Sequence, residues 1–174
     1  VRIPPSPPHI SIDYFSAMKI YKLHKTQKLP ITKEKAWEFL SDPSNLSIIT
    51  PDYMGFDIID GADRKMYQGQ VIQYIVTPVA GIKTKWVTEI THVKENEFFV
   101  DEQRFGPYKL WHHKHFIKEI SDGIEMEDII HYKLPFGILG RMVHPFLVKN
   151  CCTCRNCKFY HLITTYINLS LNNI

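Results

Sequence analysis

From residue 56 to residue 134 the chain is a succession of strand-like runs broken by short clusters of turn formers, and this rhythm restricts the fold more than any other feature. The runs cover 56–59, 70–77, 83–93, 98–105, 109–120 and 124–134. Gly61, Gly69, Gly81, Glu95-Asn96, Gly106-Pro107 and Asp122-Gly123 fall between them, at the spacing of hairpins in an antiparallel meander. Ahead of the meander, Ile20, Lys22, His24 and Thr26 alternate with Tyr21, Leu23 and Lys25 as in a strand. Thr32 then sits as the N-cap of a helix in which Ala36, Phe39 and Leu40 form one stripe beside Trp37, and Ser41-Asp42-Pro43 stops it. A second short helix over 43–49 has to end before Pro51, which disfavours helical geometry in the residue ahead of it. Behind the meander, Leu139, Met142, Val143, Phe146 and Leu147 recur at helical spacing over 138–149, with a kink at Pro145. The order β-α-α-β-β-β-β-β-β-α predicts an α+β domain in which a curved antiparallel sheet grips a long final helix.

The chain has 174 residues, and a hydrophobic content of 44% lets one domain bury a core. Residues 1–17 hold four of the eleven prolines and read as a disordered extension, with Met18 as a natural start. The domain is expected over 18–149. Net charge is +3, from 21 basic and 18 acidic residues mixed along the chain, which describes a solvated surface and argues against a nucleic-acid partner. No run approaches the ~18 apolar residues of a membrane span, and no charged leader with an apolar block opens the chain. The four cysteines all lie between 151 and 157, so they cannot staple a secreted domain, and a reduced, cytoplasmic setting is expected.

The densest chemistry lies in the segment Trp111 to His115, WHHKH. Trp111, His113 and His115 alternate and therefore share one face of a strand. A two-residue turn at Asp122-Gly123 would set Ser121 opposite Ile124, which places His115 across from Ile130, His113 across from Tyr132 and Ile117 across from Asp128. One face then collects Trp111, His113, His115, Asp128, Ile130 and Tyr132. Trp86, in step with Thr84, Thr88 and Ile90, either fills the core or extends the same wall. Of the neighbours Asp101 and Glu102, at most one can point inward. Three readings of the segment stay open: packing of a Trp with hydrogen-bonded histidines, binding of a ligand, and acid–base catalysis oriented by Asp128, or second by Glu102. His113 and His115 with Asp128 are a permissible metal set, yet no ligand spacing singles them out. The Cys151, Cys152, Cys154 and Cys157 cluster lacks a second pair, so no metal is assigned. No serine elbow, HExxH helix, P-loop or dinucleotide glycine pattern occurs, and no cofactor is expected.

Particular motifs also resemble a known group. They are Ala36-Trp37, Ser41-Asp42-Pro43, Asn45-Leu46, Thr50-Pro51, the WVTEIT of Trp86 to Thr91 and the FVDEQRFGPY of Phe99 to Tyr108. WHHKH, Asp128 and the YKLPFGILG of Tyr132 to Gly140 complete the set. Together, over 18–149, they resemble the START-type, birch-pollen-allergen-like helix-grip superfamily (SRPBCC), and within it the small bacterial ligand-binding branch related to polyketide cyclases and coenzyme-Q-binding proteins. The resemblance implies a deep cavity between sheet and final helix, in a group that ranges from passive carriers to cyclases and hydrolases. After Lys149 a Leu-, Glu- and Lys-rich helix would continue, whereas residues 150–174 are rich in Cys, Thr and Asn. That change reads as a frameshifted end of the last helix.

The expectation is therefore a domain that binds, and carries, a small hydrophobic or amphipathic molecule. Trp86, Trp111 and Tyr132 would supply its apolar walls, and His113, His115 and Asp128 its polar contacts. No residue is assigned as catalytic. The alternatives are an enzyme of cyclase, dehydratase or hydrolase type using His113 or His115 with Asp128, and an interaction module whose outer sheet face pairs with a second copy.

Overall fold

The computed structural model describes residues 19–50, 55–77 and 82–135. The expected extension over 1–17, final helix over 138–149 and tail over 150–174 lie outside the described residues. Within them the chain forms β1 (Tyr21–Leu29), α1 (Lys33–Leu40), a 3₁₀ turn (Pro43–Asn45), α2 (Leu46–Ile49), β2 (Phe56–Asp60), β3 (Val71–Val76), β4 (Thr84–Lys94), β5 (Phe98–Phe105), β6 (Leu110–Ile120) and β7 (Gly123–Lys133). All seven strands belong to one antiparallel sheet in the order β1-β7-β6-β5-β4-β3-β2. The meander thus runs in sequence order from β2 to β7, and β1 closes it by pairing with β7.

Local chemistry sets the boundaries. Thr32 Oγ1 accepts a hydrogen bond from the Lys35 amide at 3.4 Å, which caps α1 as its sequence predicts. Asp42 caps the following turn through the Ser44 amide, with Pro43 in its first position. The Asn45 side chain donates to Phe39 O at 2.8 Å and ties the turn back to α1. Thr50, directly before Pro51, is already extended at φ −81° and ψ 129°.

α1 lays Ala36 and Trp37 on one face of the sheet, called here the inner face. There they join Leu29, Ile31, Phe99, Ile117, Ile124 and Met126 in a single buried cluster. Trp37 meets Phe99 edge-on, with ring centroids 6.4 Å apart.

The β6–β7 hairpin departs from the register expected of it. Ile120 faces Gly123, so the turn residues are Ser121-Asp122 and each pairing moves by two: His115 faces Asp128, His113 faces Ile130, Trp111 faces Tyr132 and Ile117 faces Met126. A shift of two keeps every side chain on its face, so the expected grouping survives with different cross-strand neighbours. The reason lies at Gly123, which has φ 132° and runs against the end of β1; a Cβ there would collide with the Leu29 carbonyl oxygen. Glycine is required for that contact, and it opens β7 as a paired residue.

Two bulges interrupt the β4–β5 pairing, between Val87 and Thr88 and between Ile90 and His92. Each adds bend and twist, and together they curve the sheet around the inner face. The second reverses the alternation of β4, so that Ile90 pairs with Asp101 while Val93, three residues on, packs against the core.

Candidate functional site

Beyond the core cluster, the inner face changes character. Asp101 of β5, His113 and His115 of β6 and Asp128 of β7 occupy a two-by-two patch across three adjacent strands, because Asp101 faces His113 and Asp128 faces His115. Both direct and diagonal contacts form. His115 Nε2 lies 2.8 Å from Asp101 Oδ2 and His115 Nδ1 lies 2.8 Å from Asp128 Oδ1. His113 Nε2 is 3.2 Å from the same Asp128 oxygen, and His113 Nδ1 is 3.5 Å from Asp101 Oδ2. The two imidazole centroids are 3.6 Å apart, and Phe99 stacks on His115 at 4.0 Å, joining the patch to the core.

Burial makes these contacts consequential. Asp128 retains 4% of its side-chain surface, His115 11%, His113 12% and Asp101 15%. Burial pulls the His115 pKa down, but hydrogen bonds to Asp101 and Asp128, with their charges, outweigh it and push it up to about 9. With both ring nitrogens facing carboxylates, His115 is held as an imidazolium. For Asp128, burial acts to raise the pKa, and the hydrogen bonds and charges of His113 and His115 overcome it and hold the carboxyl below its ordinary range.

The other side of the patch is aromatic. Across the inner face, Phe56 of β2 stacks on Tyr74 of β3 at 4.6 Å, and Tyr74 on Trp86 of β4 at 6.0 Å. Trp86 meets Trp111 of β6 edge-on at 5.3 Å, Trp111 meets Tyr132 of β7 at 6.3 Å, and Tyr132 stacks on Tyr21 of β1 at 5.4 Å. Tyr108, in the loop before β6, fills the interval left by β5 and touches Trp86, Trp111 and Tyr132. The Gln103 side chain holds that loop by donating to Tyr108 O at 2.6 Å and accepting from Tyr108 N at 3.2 Å. Trp111 also meets His113 edge-on at 6.1 Å, so the row of rings and the charged patch are continuous. Among the described residues, Trp86 Nε1 is buried with no hydrogen-bond partner. The Tyr74 hydroxyl bonds Thr88 Oγ1 at 2.8 Å.

All six residues singled out in the sequence, Trp86, Trp111, His113, His115, Asp128 and Tyr132, stand on this face. Asp101, one of the two acids of which at most one could point inward, joins them, and so does Tyr108, which the sequence did not single out. Glu102, the second choice for an orienting carboxylate, is on the outer face, where it pairs with His112 at 2.8 Å and with Arg104 at 3.1 Å. The cause is register: neighbours on a strand point oppositely, and Asp101 is the one opposite His113. A depression of about 450 Å³, lined by Lys28, Leu29, Pro30, Ile120, Ser121 and Asp122, lies at the β6–β7 turn and away from the imidazoles.

No family model matches the sequence, and no curated protein does. Solved structures do. TTHA0849 from Thermus thermophilus superposes with a TM-score of 0.69 at 10% identity, covering 86% of this chain and 99% of the other. Norcoclaurine synthase from Thalictrum flavum, solved as a point mutant with a transition-state analogue, gives 0.64 at 10% identity over 88% and 97% of the two chains. Ara h 8.0201 gives 0.60 at 12% identity over 87% and 99%. Among the described residues no helix is long and apolar enough to cross a membrane. The seven-stranded curved sheet, the two short helices on its inner face and these likenesses show that the chain has a helix-grip fold, the architecture shared by Ara h 8.0201 and norcoclaurine synthase.

Proposed function

We propose that this protein binds a small hydrophobic or amphipathic molecule over the inner face of its sheet, the apolar body against Trp86, Trp111, Tyr108 and Tyr132 and a polar group turned toward His113. The observation that carries this reading is the continuity of a row of rings with a desolvated charged patch. Ligand sites combine a large apolar wall with a few fixed polar groups, and a buried indole N–H without a partner adds a donor for an acceptor on the guest. The fold likeness supports binding in general terms, since Ara h 8.0201 and norcoclaurine synthase share the architecture. Fold alone does not select the molecule.

Native mass spectrometry of the freshly purified full chain, followed by tryptophan-fluorescence titration with a panel of aromatic and amphipathic compounds, tests the proposal. A retained or titrated small molecule whose affinity falls in Trp111→Ala is the expected result. Absence of any bound species, with no compound perturbing the tryptophans, would overturn it.

One contact favours a second reading, that of a catalyst. His113 stands 3.2 Å from Asp128 and keeps 12% of its side-chain surface, the arrangement in which a carboxylate orients an imidazole for proton transfer. Under that reading His113→Ala abolishes turnover of a bound substrate while leaving its affinity nearly unchanged.

A further inference from the structure

Three potential ligand atoms converge on one side of the charged patch. Asp101 Oδ2, His113 Nδ1 and His115 Nε2 come from strand positions, and atoms of these three residues all lie within 4.8 Å of one another. The carboxylate oxygen is 2.8 Å from His115 Nε2 and 3.5 Å from His113 Nδ1. Nitrogen and oxygen donors that share an ion at about 2.0–2.2 Å stand roughly 3–3.5 Å apart, so only small adjustments separate the present spacing from a coordination sphere.

The opposite edges of both rings are occupied differently. His113 Nε2 and His115 Nδ1 both reach Asp128 Oδ1, at 3.2 and 2.8 Å. A histidine that ligates a metal through one nitrogen commonly gives its other N–H to a carboxylate, which fixes tautomer and ring orientation. Here one carboxylate serves both rings. With N–H groups directed to Asp128, the lone pairs of both rings point toward the Asp101 side, and an ion there takes the place of the proton His115 otherwise holds against Asp101. Exposure distinguishes the two acids in the same sense: Asp128 keeps 4% of its side-chain surface and Asp101 15%. The deeper acid is the orienting one and the shallower acid the ligand.

We propose that Asp101, His113 and His115 bind one divalent first-row transition-metal ion, with Asp128 positioning both imidazoles from behind. Two imidazoles and a carboxylate suit Zn²⁺, Fe²⁺ or Co²⁺, whereas Mg²⁺ and Ca²⁺ require mostly oxygen donors. Three protein donors leave at least one coordination position for water or an oxygen of a guest. The inference stands without the ligand-binding reading, because it is tested with metal alone. On the outer face of the same strand, His112 has Glu102 at 2.8 Å, but the imidazole across from it, His131, is centred 6.4 Å away. That site serves as a control.

The test uses the full chain with Cys151→Ser, Cys152→Ser, Cys154→Ser and Cys157→Ser, which removes competing thiolates. The chain is stripped with chelator and titrated with Co²⁺ alone. One Co²⁺ per chain is expected, with the visible absorption of a four- or five-coordinate nitrogen–oxygen site and displacement by Zn²⁺. Asp101→Asn and His113→Ala should each weaken binding at least tenfold, and Asp128→Asn by roughly 10- to 100-fold. His112→Ala should leave it unchanged. Circular dichroism checks the fold of each variant, and the isosteric Asp101→Asn decides the matter if His113→Ala does not fold. A spectrum of aqueous Co²⁺ only, or equal affinity in Asp101→Asn and His112→Ala, would overturn the proposal.

Discussion

Strand β6 presents histidines to both faces of the sheet, and both faces offer them acids, yet the two arrangements differ in consequence. Outward, His112 pairs with Glu102, each keeping 28% of its side-chain surface, and the exposed Arg104 bridges Glu102 and Glu89 in the same half-buried belt. Inward, His113 and His115 share Asp101 and Asp128 with between 4% and 15% exposure. Even the directions of titration diverge: burial and then the charges of Lys114, Lys22 and His112 lower the pKa of the outer His131, while two carboxylates raise His115 to about 9. Pairing is common to both faces. Removal from water is what separates a surface ornament from a site, because desolvation strengthens each interaction and penalises any unpaired charge.

The largest effect should come from breaking the inner network at its deepest member. Asp128→Ala leaves an imidazolium facing one acid where it had two, and loss of one partner of a buried ion pair costs roughly 3–5 kcal/mol. Urea denaturation of the variant measures this directly. A loss below about 1 kcal/mol would place the inner network in the same class as the outer one.

A second effect follows from the raised value of His115. Its folded pKa lies above the unfolded value of 6.5, so its stabilisation is complete below about pH 6.5 and disappears as pH rises through about 9. Asp128 acts in the other direction: its folded pKa is lowered, so its contribution is present above the ordinary carboxylate value of 3.8 and is lost as pH falls. In chelator, the melting temperature should therefore decline from pH 6.5 to pH 9. His115→Gln should flatten that slope, and an unchanged slope would show that His115 is not the group responsible.

How far the sequence leads is itself divided between the two ends of the meander. The strand runs, the Thr32 cap and the stop before Pro51 depend on local chemistry, and they reappear within a residue or two of their expected bounds. The grouping of Trp111, His113, His115, Asp128 and Tyr132 was equally legible, since alternation needs only the parity of one short hairpin. Their actual neighbours were not, because the choice between Asp122-Gly123 and Ser121-Asp122 as the turn is made by the approach of β1 to Gly123, a contact remote in sequence. The choice of Asp101 over Glu102 was hidden for a similar reason. The link from β5 to β6 spans residues 106–109, and no two-residue turn sets its register; the Gln103 clamp on Tyr108 does so instead. The β4–β5 bulges then break the simple alternation that would have supplied a second check.

Double-mutant cycles sharpen the contrast at a smaller energy. Combining His113→Ala with Asp128→Asn should show a coupling of roughly 0.5–3 kcal/mol, as expected of groups in one buried network. The outer pair, His112→Ala with Glu102→Gln, should couple by less than about 1 kcal/mol and lose most of that in high salt, because ion pairs that keep part of their contact with water are weak and screened. The final and smallest effect is then His112→Ala alone. Its ring lies 6.4 Å from His131 and keeps 28% of its side-chain surface beside the exposed Arg104, so its removal should shift stability by no more than about 1 kcal/mol. A loss from His112→Ala as large as that from Asp128→Ala, seen in the same urea titrations, would mean that the outer face holds the sheet as firmly as the inner one. The distinction between the two faces of β6 would then rest on geometry without energy behind it.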